Sequence, residues 1–366
     1  MLRRIIAGGA LVILGLGFYF MSEPKQNQAP GRNPLFLLAP EDNHFAAPGS
    51  EPLVFPNDHG IHRQSGSELW QIGGYLEMIG GERFGLEITL IRVDLGADPG
   101  QRQSAWATDQ IFHLNYGIIP FNHGEIYRDR ETSRNAMGLA GYDPRQHEIR
   151  VYKRELKFHE SNEGSDMELN IPDGAYPVNL EFHPAKPMLI APFSEPFRYY
   201  TISRMAARGT LTISGESHAV SGEAFFEHSW GKLPVGRGQL VRDRLMLQLS
   251  NGIDLNLLQS HRRDGTGKAV NSGFMVLPQG KRLAFEQGDL DIEQSGYWTS
   301  STTGIRYPVE WRIQIPEQAM VLDVRPWMDN QETTDSPINW AGMVSVSGHS
   351  GANPVEGFGQ VQLSGY

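Results

Sequence analysis

The chain has 366 residues, a formal net charge of −10 and 39% hydrophobic residues. This length suits two domains of ordinary size, each large enough to bury a core. The sequence contains no cysteine, which excludes disulfides, thiolate metal sites and a cysteine nucleophile. Because no basic stripe is present to neutralise phosphates, the acidic balance argues against nucleic acid as a partner.

The N-terminus has the pattern of a membrane anchor. Arg3 and Arg4 precede an uncharged apolar run over residues 5–21, and no small-residue cleavage site follows that run. The run is at the lower end of the length that spans a bilayer, so residues 1–21 predict an uncleaved signal anchor. The basic pair predicts that the body of the protein is exported to the periplasmic side of the inner membrane. A cleaved signal and a secreted protein stay open, and the polar residues 22–51 predict a flexible linker.

Short alternating or β-branched runs, bounded by Gly, Pro, Asn or Asp, make up nearly all of the remaining sequence. Phe84–Val93 and Val309–Ile315 are two of them. This pattern predicts an all-β fold of two barrels or sandwiches. The turn-rich segment Gly231–Gly238 separates the two halves, and the predicted domains cover residues 52–233 and 234–366.

Familiar motifs of catalysis and cofactor binding are missing from the sequence. It has no Gly-x-Ser-x-Gly elbow, phosphate loop, dinucleotide fingerprint or His-Glu-x-x-His pair. His59 and His62 are three residues apart, but no further ligands are spaced to complete a zinc site. A solvated or hydrogen-bonded loop is therefore favoured there, and the sequence predicts neither a metal nor a cofactor.

The most distinctive stretch is Gly222–Gly231, near the middle of the chain. An alternating strand runs there into an acid, an imidazole and an indole, contributed by Glu227, His228 and Trp230. Three such side chains on a rigid strand end indicate a reactive or binding surface. A buried, hydrogen-bonded histidine at a polar strand end is the alternative interpretation.

Residues 52–366 contain an ordered set of short motifs: Phe55–His62, Glu68–Gln71, Gly138–Gly141, Tyr199–Tyr200, Val220–Gly231, Asp243, Tyr307–Trp311 and Gly359–Tyr366. This set resembles the hydroxyneurosporene synthase (carotenoid 1,2-hydratase) and AttH-like family. The resemblance implies two tandem lipocalin-like (calycin) β-barrel or sandwich domains with an apolar ligand pocket near their junction. It also implies an export context beside an ABC-type transporter, and relatives that hydrate a carotenoid alkene or close rings.

The resemblance also suggests site residues. The family's Asp-His-Glu-Trp-Gly motif matches residues 227–231, with its first acid lengthened to Glu227, and the family's aromatic-flanked Asp matches Asp243 between Arg242 and Arg244. Hydrating an alkene needs an acid to protonate carbon and a base to position water. By resemblance, the catalytic residues are Glu227, His228 and Asp243. The residues expected to bind the ligand in the same cavity are Glu68, Trp70, Tyr199, Tyr200, Trp230 and Trp340.

Two functions follow from these observations. The first is a membrane-tethered, lipocalin-like protein that binds a hydrophobic small molecule or lipid, as an accessory to an envelope ABC-type transporter. The second is a hydratase, isomerase or cyclase that acts on an apolar unsaturated isoprenoid or lipid. The anchor and the loss of several pocket aromatics favour the first. Burial of Glu227 and Asp243 beside His228 distinguishes an enzyme from a carrier.

Overall fold

The computed structural model describes residues 48–49, 51–96, 104, 106–121, 124–161, 164–191, 197–231, 240–286, 288–334 and 339–366. The predicted anchor, nearly all of the predicted flexible linker and the turn-rich residues 232–238 lie outside these described ranges. Two antiparallel sheets contain almost all of the regular structure, which confirms the predicted all-β class. In the described part of the chain, no helix combines the length and the apolar character that crossing a membrane requires.

The first sheet has twelve strands in the order β4-β3-β2-β1-β12-β11-β9-β8-β7-β6-β5, and β10 pairs with β11. Strands β3 and β4 also contact β5 and β6, so the sheet curls into a nearly closed barrel. The strands are β1 (Ser67–Met78), β2 (Arg83–Asp94), β3 (Gln110–Pro120), β4 (Tyr127–Arg134), β5 (Ala140–Asp143), β6 (Glu148–Val151), β7 (Arg154–Ser161), β8 (Gly164–Ile171), β9 (Val178–Pro184), β10 (Leu189–Ile190), β11 (Phe197–Ile213) and β12 (Glu216–Gly231).

The second sheet has ten strands in the order β16-β15-β14-β13-β22-β21-β19-β18-β17, and β20 pairs with β21. It forms a half-barrel, and the pair of sheets agrees with two tandem lipocalin-like domains. The strands are β13 (Leu240–Leu249), β14 (Asp254–Arg262), β15 (Val270–Val276), β16 (Arg282–Phe285), β17 (Asp291–Thr299), β18 (Arg306–Ile315), β19 (Met320–Pro326), β20 (Glu332–Thr333), β21 (Asn339–Ser350) and β22 (Asn353–Ser364). Single 3-10 turns occur at Asn57–His59 and Pro316–Gln318.

Each sheet buries one face in its own core. Along β9, burial alternates residue by residue, as the two-residue period of a strand requires. The interior of the first barrel is filled by large side chains that include Trp70, Phe112, Phe158 and Phe226. The second core is built around Trp311 and Trp340, together with aliphatic residues from the neighbouring strands.

The two domains meet through an apolar cluster, in which Tyr75 packs on Phe358, and through buried polar contacts. Strand β1 contacts β22, and β11 contacts β14. The buried Asp254 of the second domain lies 2.7 Å from Lys186 Nζ and 2.7 Å from Arg204 Nη2, both from the first domain. The Nη2 group of Arg128 donates to the carbonyl of Ala341 at 2.9 Å. These contacts tie the outer face of the first barrel to the second domain.

Close strand approach makes Gly222 on β12 sensitive to substitution. A Cβ at this position would lie 1.8 Å from the carbonyl oxygen of Tyr75 on the neighbouring β1, so the backbone would have to move. We expect Gly222→Ala to lower the free energy of unfolding by about 1–3 kcal/mol, the usual penalty of overpacking. Gly80→Ala is the control, because its Cβ would meet nothing within 4 Å. Equal urea midpoints for the two variants would contradict the expectation.

Candidate functional site

The structure does not bring the predicted site residues into one cavity. Consecutive residues of a strand point to opposite faces, so Glu227 and His228 on β12 face different compartments. Glu227 contacts residues of the second domain, whereas His228 points into the first barrel. Asp243 and Arg244 on β13 also point to opposite faces: Asp243 contacts Gln294 within the second domain, whereas Arg244 contacts Glu227. The expectation of one cavity shared by Glu227, His228 and Asp243 is therefore wrong.

His228 lies inside the first barrel with several of the predicted ligand-binding residues. Its Nδ1 atom is 3.3 Å from the Tyr200 hydroxyl, and its ring stacks on Trp70 with 4.6 Å between centroids. Trp230 lies beside it, with 4.8 Å between the two ring centroids. Glu68 is also buried at this end of the barrel. These residues do form one cluster, but it lies within the packed core and away from Glu227.

Residues 55–62 close the mouth of this barrel. The indole N–H of Trp70 donates to the backbone carbonyl of His59 at 2.8 Å. The fully buried ring of His59 hydrogen-bonds to the Tyr200 hydroxyl and to Ser165, and it stacks on Phe158. Burial lowers the pKa of His59 to about 3. The predicted hydrogen-bonded loop is thus a plug, and His59 is a neutral part of the core.

The buried His59 makes stability depend on pH. Its ring has a pKa of about 3 in the folded protein against the ordinary value of 6.5. Between these pH values the proton binds to His59 in the unfolded chain but not in the folded protein. The contribution of neutral, buried His59 to the free energy of unfolding is therefore complete above pH 6.5 and is lost as the pH falls towards 3. We expect His59→Gln to flatten the slope of unfolding free energy between pH 6.5 and 4.5 by about 1.4 kcal/mol per pH unit.

Urea unfolding at several pH values measures that slope. His159→Gln is the matched control, because the His159 side chain is 52% exposed. A slope for His59→Gln that equals the slope of the parent protein would show that His59 is not buried as a neutral ring.

Asp243 and Trp340 lie in the core of the second domain. The Asp243 carboxylate accepts hydrogen bonds from the Tyr366 hydroxyl, from Trp311 Nε1 at 3.2 Å and from Gln294 Nε2 at 2.7 Å. Burial raises the pKa of Asp243. The indole of Trp340 donates to the Asp329 carbonyl at 2.7 Å and packs near Trp311. These contacts indicate a role for both residues in holding the second core together.

Glu227 belongs to a cluster that is shared by the two domains, which we call the junction cluster (Tyr199, Glu227, Arg244 and Asn256). Glu227 accepts hydrogen bonds from the Tyr199 hydroxyl and from Asn256 Nδ2, the latter at 2.9 Å, and it pairs with the Arg244 guanidinium. Tyr199 and Glu227 come from the first domain, and the other two come from β13 and β14 of the second. Burial and the adjacent Glu227 carboxylate raise the pKa of Tyr199 well above its usual range.

The junction cluster forms one wall of a cavity of about 290 Å³ between the domains. The other walls are largely apolar, formed by Leu69, Leu258 and Phe274, with Ser229 beside them. The strand register explains why Glu227 reaches this cavity. Glu227 pairs with Gln71 of β1 and with Thr201 of β11, and its side chain projects from the outer face of the barrel. A carboxylate, a phenol and a guanidinium therefore meet at the edge of an apolar space.

A second cleft adjoins this cavity, and Leu69 lines both. It has a volume of about 460 Å³ and contains Glu87, His113 and Asn115. Desolvation raises the pKa of Glu87, which accepts a hydrogen bond from Gln360 at 3.1 Å. The sequence prediction missed Glu87. The available signal was the alternation in β2, which places Glu87 on the face opposite the core.

The profile of the AttH-like family matches residues 46–366. The chain belongs to the AttH-like family. This result confirms the resemblance that the ordered motifs indicate. No curated protein matches the sequence of this AttH-like chain.

Solved structures with the same fold are similar to the AttH-like chain. A crystal structure from Nitrosomonas europaea, assigned to AttH, has a TM-score of 0.73 and 21% identity, and covers 88% of this chain and 99% of its own. Kievitone hydratase from Nectria haematococca has a TM-score of 0.64 and 13% identity over 92% of this chain and 98% of its own. CghA with Sch210972 has a TM-score of 0.50 and 15% identity, and the match covers 89% of this chain and 97% of CghA. At these identities the likeness establishes the fold alone.

Proposed function

We propose that this AttH-like protein is an acid–base enzyme that adds water to a double bond of an apolar small molecule, or removes it. The substrate binds in the cavity between the two domains. The observation that carries the proposal is the junction cluster, in which a Tyr199–Glu227 hydrogen bond lies beside Arg244 on the wall of an apolar cavity. Hydration of an alkene requires one group that delivers a proton to carbon and another that takes a proton from water.

The two roles divide naturally within the cluster. Glu227 is an acceptor held by Arg244 and Asn256, and in this orientation its carboxylate positions a water and takes its proton. Tyr199 is protonated at neutral pH and delivers its proton to the alkene carbon, and the Arg244 guanidinium opposes the rise in the pKa of Tyr199 that burial and Glu227 cause. Arg244 Nη2 lies 3.5 Å from the Tyr199 hydroxyl and stabilises the phenolate that results.

The direct hydrogen bond between the two groups completes the cycle. After the reaction, one carbon carries the proton from Tyr199 and the other carries the hydroxyl from water. Glu227 then holds the second proton of that water, and it returns this proton to the Tyr199 phenolate through their shared hydrogen bond. Protons balance, and the cluster regains its starting state without a further reactant.

The shape of the cavity supports an apolar substrate of modest size. Leu69, Leu258 and Phe274 present hydrocarbon to the ligand, and the adjoining cleft beyond Leu69 extends the space. Binding sites for small molecules commonly pair apolar walls with a few polar groups. The fold shared with a protein named kievitone hydratase adds fold-level support for a hydratase. An unsaturated isoprenoid or lipid, the substrate class that the family resemblance implies, suits these apolar walls.

The carrier interpretation has weaker support. A lipocalin-like carrier holds its ligand inside a barrel. Here Trp70, Phe112, Phe158 and Phe226 fill the interior of the first barrel with side chains. The accessory role beside an envelope transporter belongs to this carrier interpretation, and it rests on the sequence alone. A periplasmic location set by residues 1–21 is compatible with either function and likewise rests on the sequence alone.

Turnover tests the proposal. We would incubate the full-length protein, in detergent, with a panel of prenylated aromatic compounds and linear isoprenoid alkenes, in isotopically labelled water. Mass spectrometry is expected to find products heavier by one labelled water, and the reverse loss of water from the matching alcohols. Binding of several panel members with no exchange of water in either direction would contradict the enzyme and favour a carrier.

A further inference from the structure

We propose that His62, Glu68 and His228 form a binding site for a divalent transition-metal ion of the Zn²⁺ type, at the mouth of the first barrel. One ligand atom from each of the three lies within 4.8 Å of the other two. Two imidazole nitrogens and one carboxylate oxygen are a ligand set that suits Zn²⁺ and leaves a coordination position open. This site is separate from the junction cluster and independent of the proposed function.

The clearest indication is an unpaired nitrogen of His228. The His228 side chain is fully buried, and its Nδ1 atom contacts the Tyr200 hydroxyl. Its Nε2 atom has no hydrogen-bond partner among the described residues. The Asp58 backbone is close enough to the ring to act as a weak polar partner, so Nε2 lacks a well-formed hydrogen bond rather than every polar neighbour. Buried polar atoms are almost always paired, so a bound ligand is the expected reason for such an atom.

The second imidazole is oriented in a complementary way. His62 Nε2 lies 3.1 Å from Asp58 Oδ1, and its Nδ1 lies 2.8 Å from Glu68 Oε1. Histidines that bind metals commonly use one nitrogen for the metal, while a carboxylate or another polar group holds the other nitrogen. Asp58 holds His62 in this manner, and Tyr200 holds His228. On His62 the remaining nitrogen, Nδ1, is the one that lies near Glu68, and His228 brings one ring nitrogen within 4.8 Å of the ligand atoms of both.

The charge of the surroundings fits a divalent cation. Arg92 Nε binds Glu68 Oε2 at 3.2 Å, and Arg92 Nη1 binds Asp94 at 3.2 Å. Asp58 contacts His62 rather than Arg92, with 3.1 Å between Oδ1 and Nε2. Glu68, Asp94 and Asp58 thus supply three carboxylates to this connected set of contacts against the single guanidinium of Arg92, and this excess of acidic groups suits a divalent cation. Arg92 uses Oε2 of Glu68, so Oε1 remains on the side of the two histidines.

The site is accessible from solvent. A depression of about 390 Å³, whose lining includes Asp58, His62, Arg198 and Trp230, opens above it. The ligands also come from two parts of the fold: His62 belongs to the plug, whereas Glu68 and His228 belong to β1 and β12. A bound metal would tie the plug to the barrel and stabilise that end of the domain.

Zinc binding tests the inference. Full-length protein stripped with a chelator is titrated with Zn²⁺ and then measured by elemental mass spectrometry and by thermal unfolding. We expect one tightly held equivalent per chain and a higher Tm, and we expect His62→Ala and His228→Ala to weaken binding by at least about tenfold. His183→Ala is the matched control, because exposed His183 also lies near carboxylates and should leave binding unchanged.

Co²⁺ gives a second readout that does not depend on stability. Its visible absorption spectrum reports nitrogen and oxygen ligands directly, so a His62→Ala protein that folds normally is expected to lose the spectrum even if His228→Ala does not fold. A parent protein that retains no zinc, or a His62→Ala variant with the stoichiometry and spectrum of the parent, would overturn the proposal. Neither readout involves turnover, so failure of the metal site and failure of the proposed function are distinguishable.

Discussion

Replacing Glu227 by Gln is expected to lower kcat for water addition by about a hundredfold or more, which is the usual contribution of a general base. The amide has nearly the same shape but cannot take a proton from water. Tyr199→Phe is expected to cause a loss of the same order, because it removes the proton that the alkene receives. The Arg244 side chain is 26% exposed, so the loss of its anionic partner leaves it partly hydrated and the fold intact.

Ser229→Ala is the matched control for both variants. Ser229 lines the same cavity from β12 but takes no part in the junction cluster. Steady-state kinetics on a substrate from the panel should show a nearly unchanged kcat for this control. If Glu227→Gln and Tyr199→Phe turned over at the rate of the parent while circular dichroism showed normal folding, the catalytic groups would lie elsewhere.

Replacing Asp254 by Ala is expected to cause the largest loss of stability, about 3–5 kcal/mol, because it removes one partner of a buried charge pair. Asp254 accepts hydrogen bonds from Ser203 Oγ at 2.7 Å and from Arg204 Nε at 2.9 Å, and it pairs with Lys186. The Lys186 side chain is only 3% exposed, and burial lowers its pKa. Without Asp254, this lysine would be a buried cation that has lost its directly paired carboxylate.

A double-mutant cycle separates the ion pair from other effects of the substitution. Lys186→Met removes the buried cation, so the variant with both changes is expected to be more stable than the sum of the single losses predicts, by about 1 kcal/mol or more. Urea unfolding of the four proteins measures this coupling. Additive losses would show that Lys186 and Asp254 do not depend on one another.

The class of the fold was predictable from the sequence because strand patterns are local. The Phe84–Val93 run, for example, falls within β2, and its alternate residues Leu86, Ile88 and Leu90 lie in the core of the first barrel. The turn-rich Gly231–Gly238 segment follows the last strand of the first sheet, which ends at Gly231. These features depend on neighbouring residues, which a sequence displays directly.

The arrangement of the site was predicted less well, for two physical reasons. The two-residue period of β12 already implied that Glu227 and His228 point in opposite directions, but their shared motif suggested a common cavity. The partners of Glu227 were not predictable, because Arg244 and Asn256 reach it only through the packing of one domain on the other. No local pattern in the sequence records that packing.

A crystal structure of Glu227→Gln with a substrate from the panel would show directly whether chemistry occurs at the junction cluster between the domains. We expect electron density for the ligand in the cavity lined by Leu69, Leu258 and Phe274, with its double bond within hydrogen-bonding reach of the Tyr199 hydroxyl. Density for the ligand inside the first barrel beside His228, with the cavity between the domains empty, would contradict this expectation.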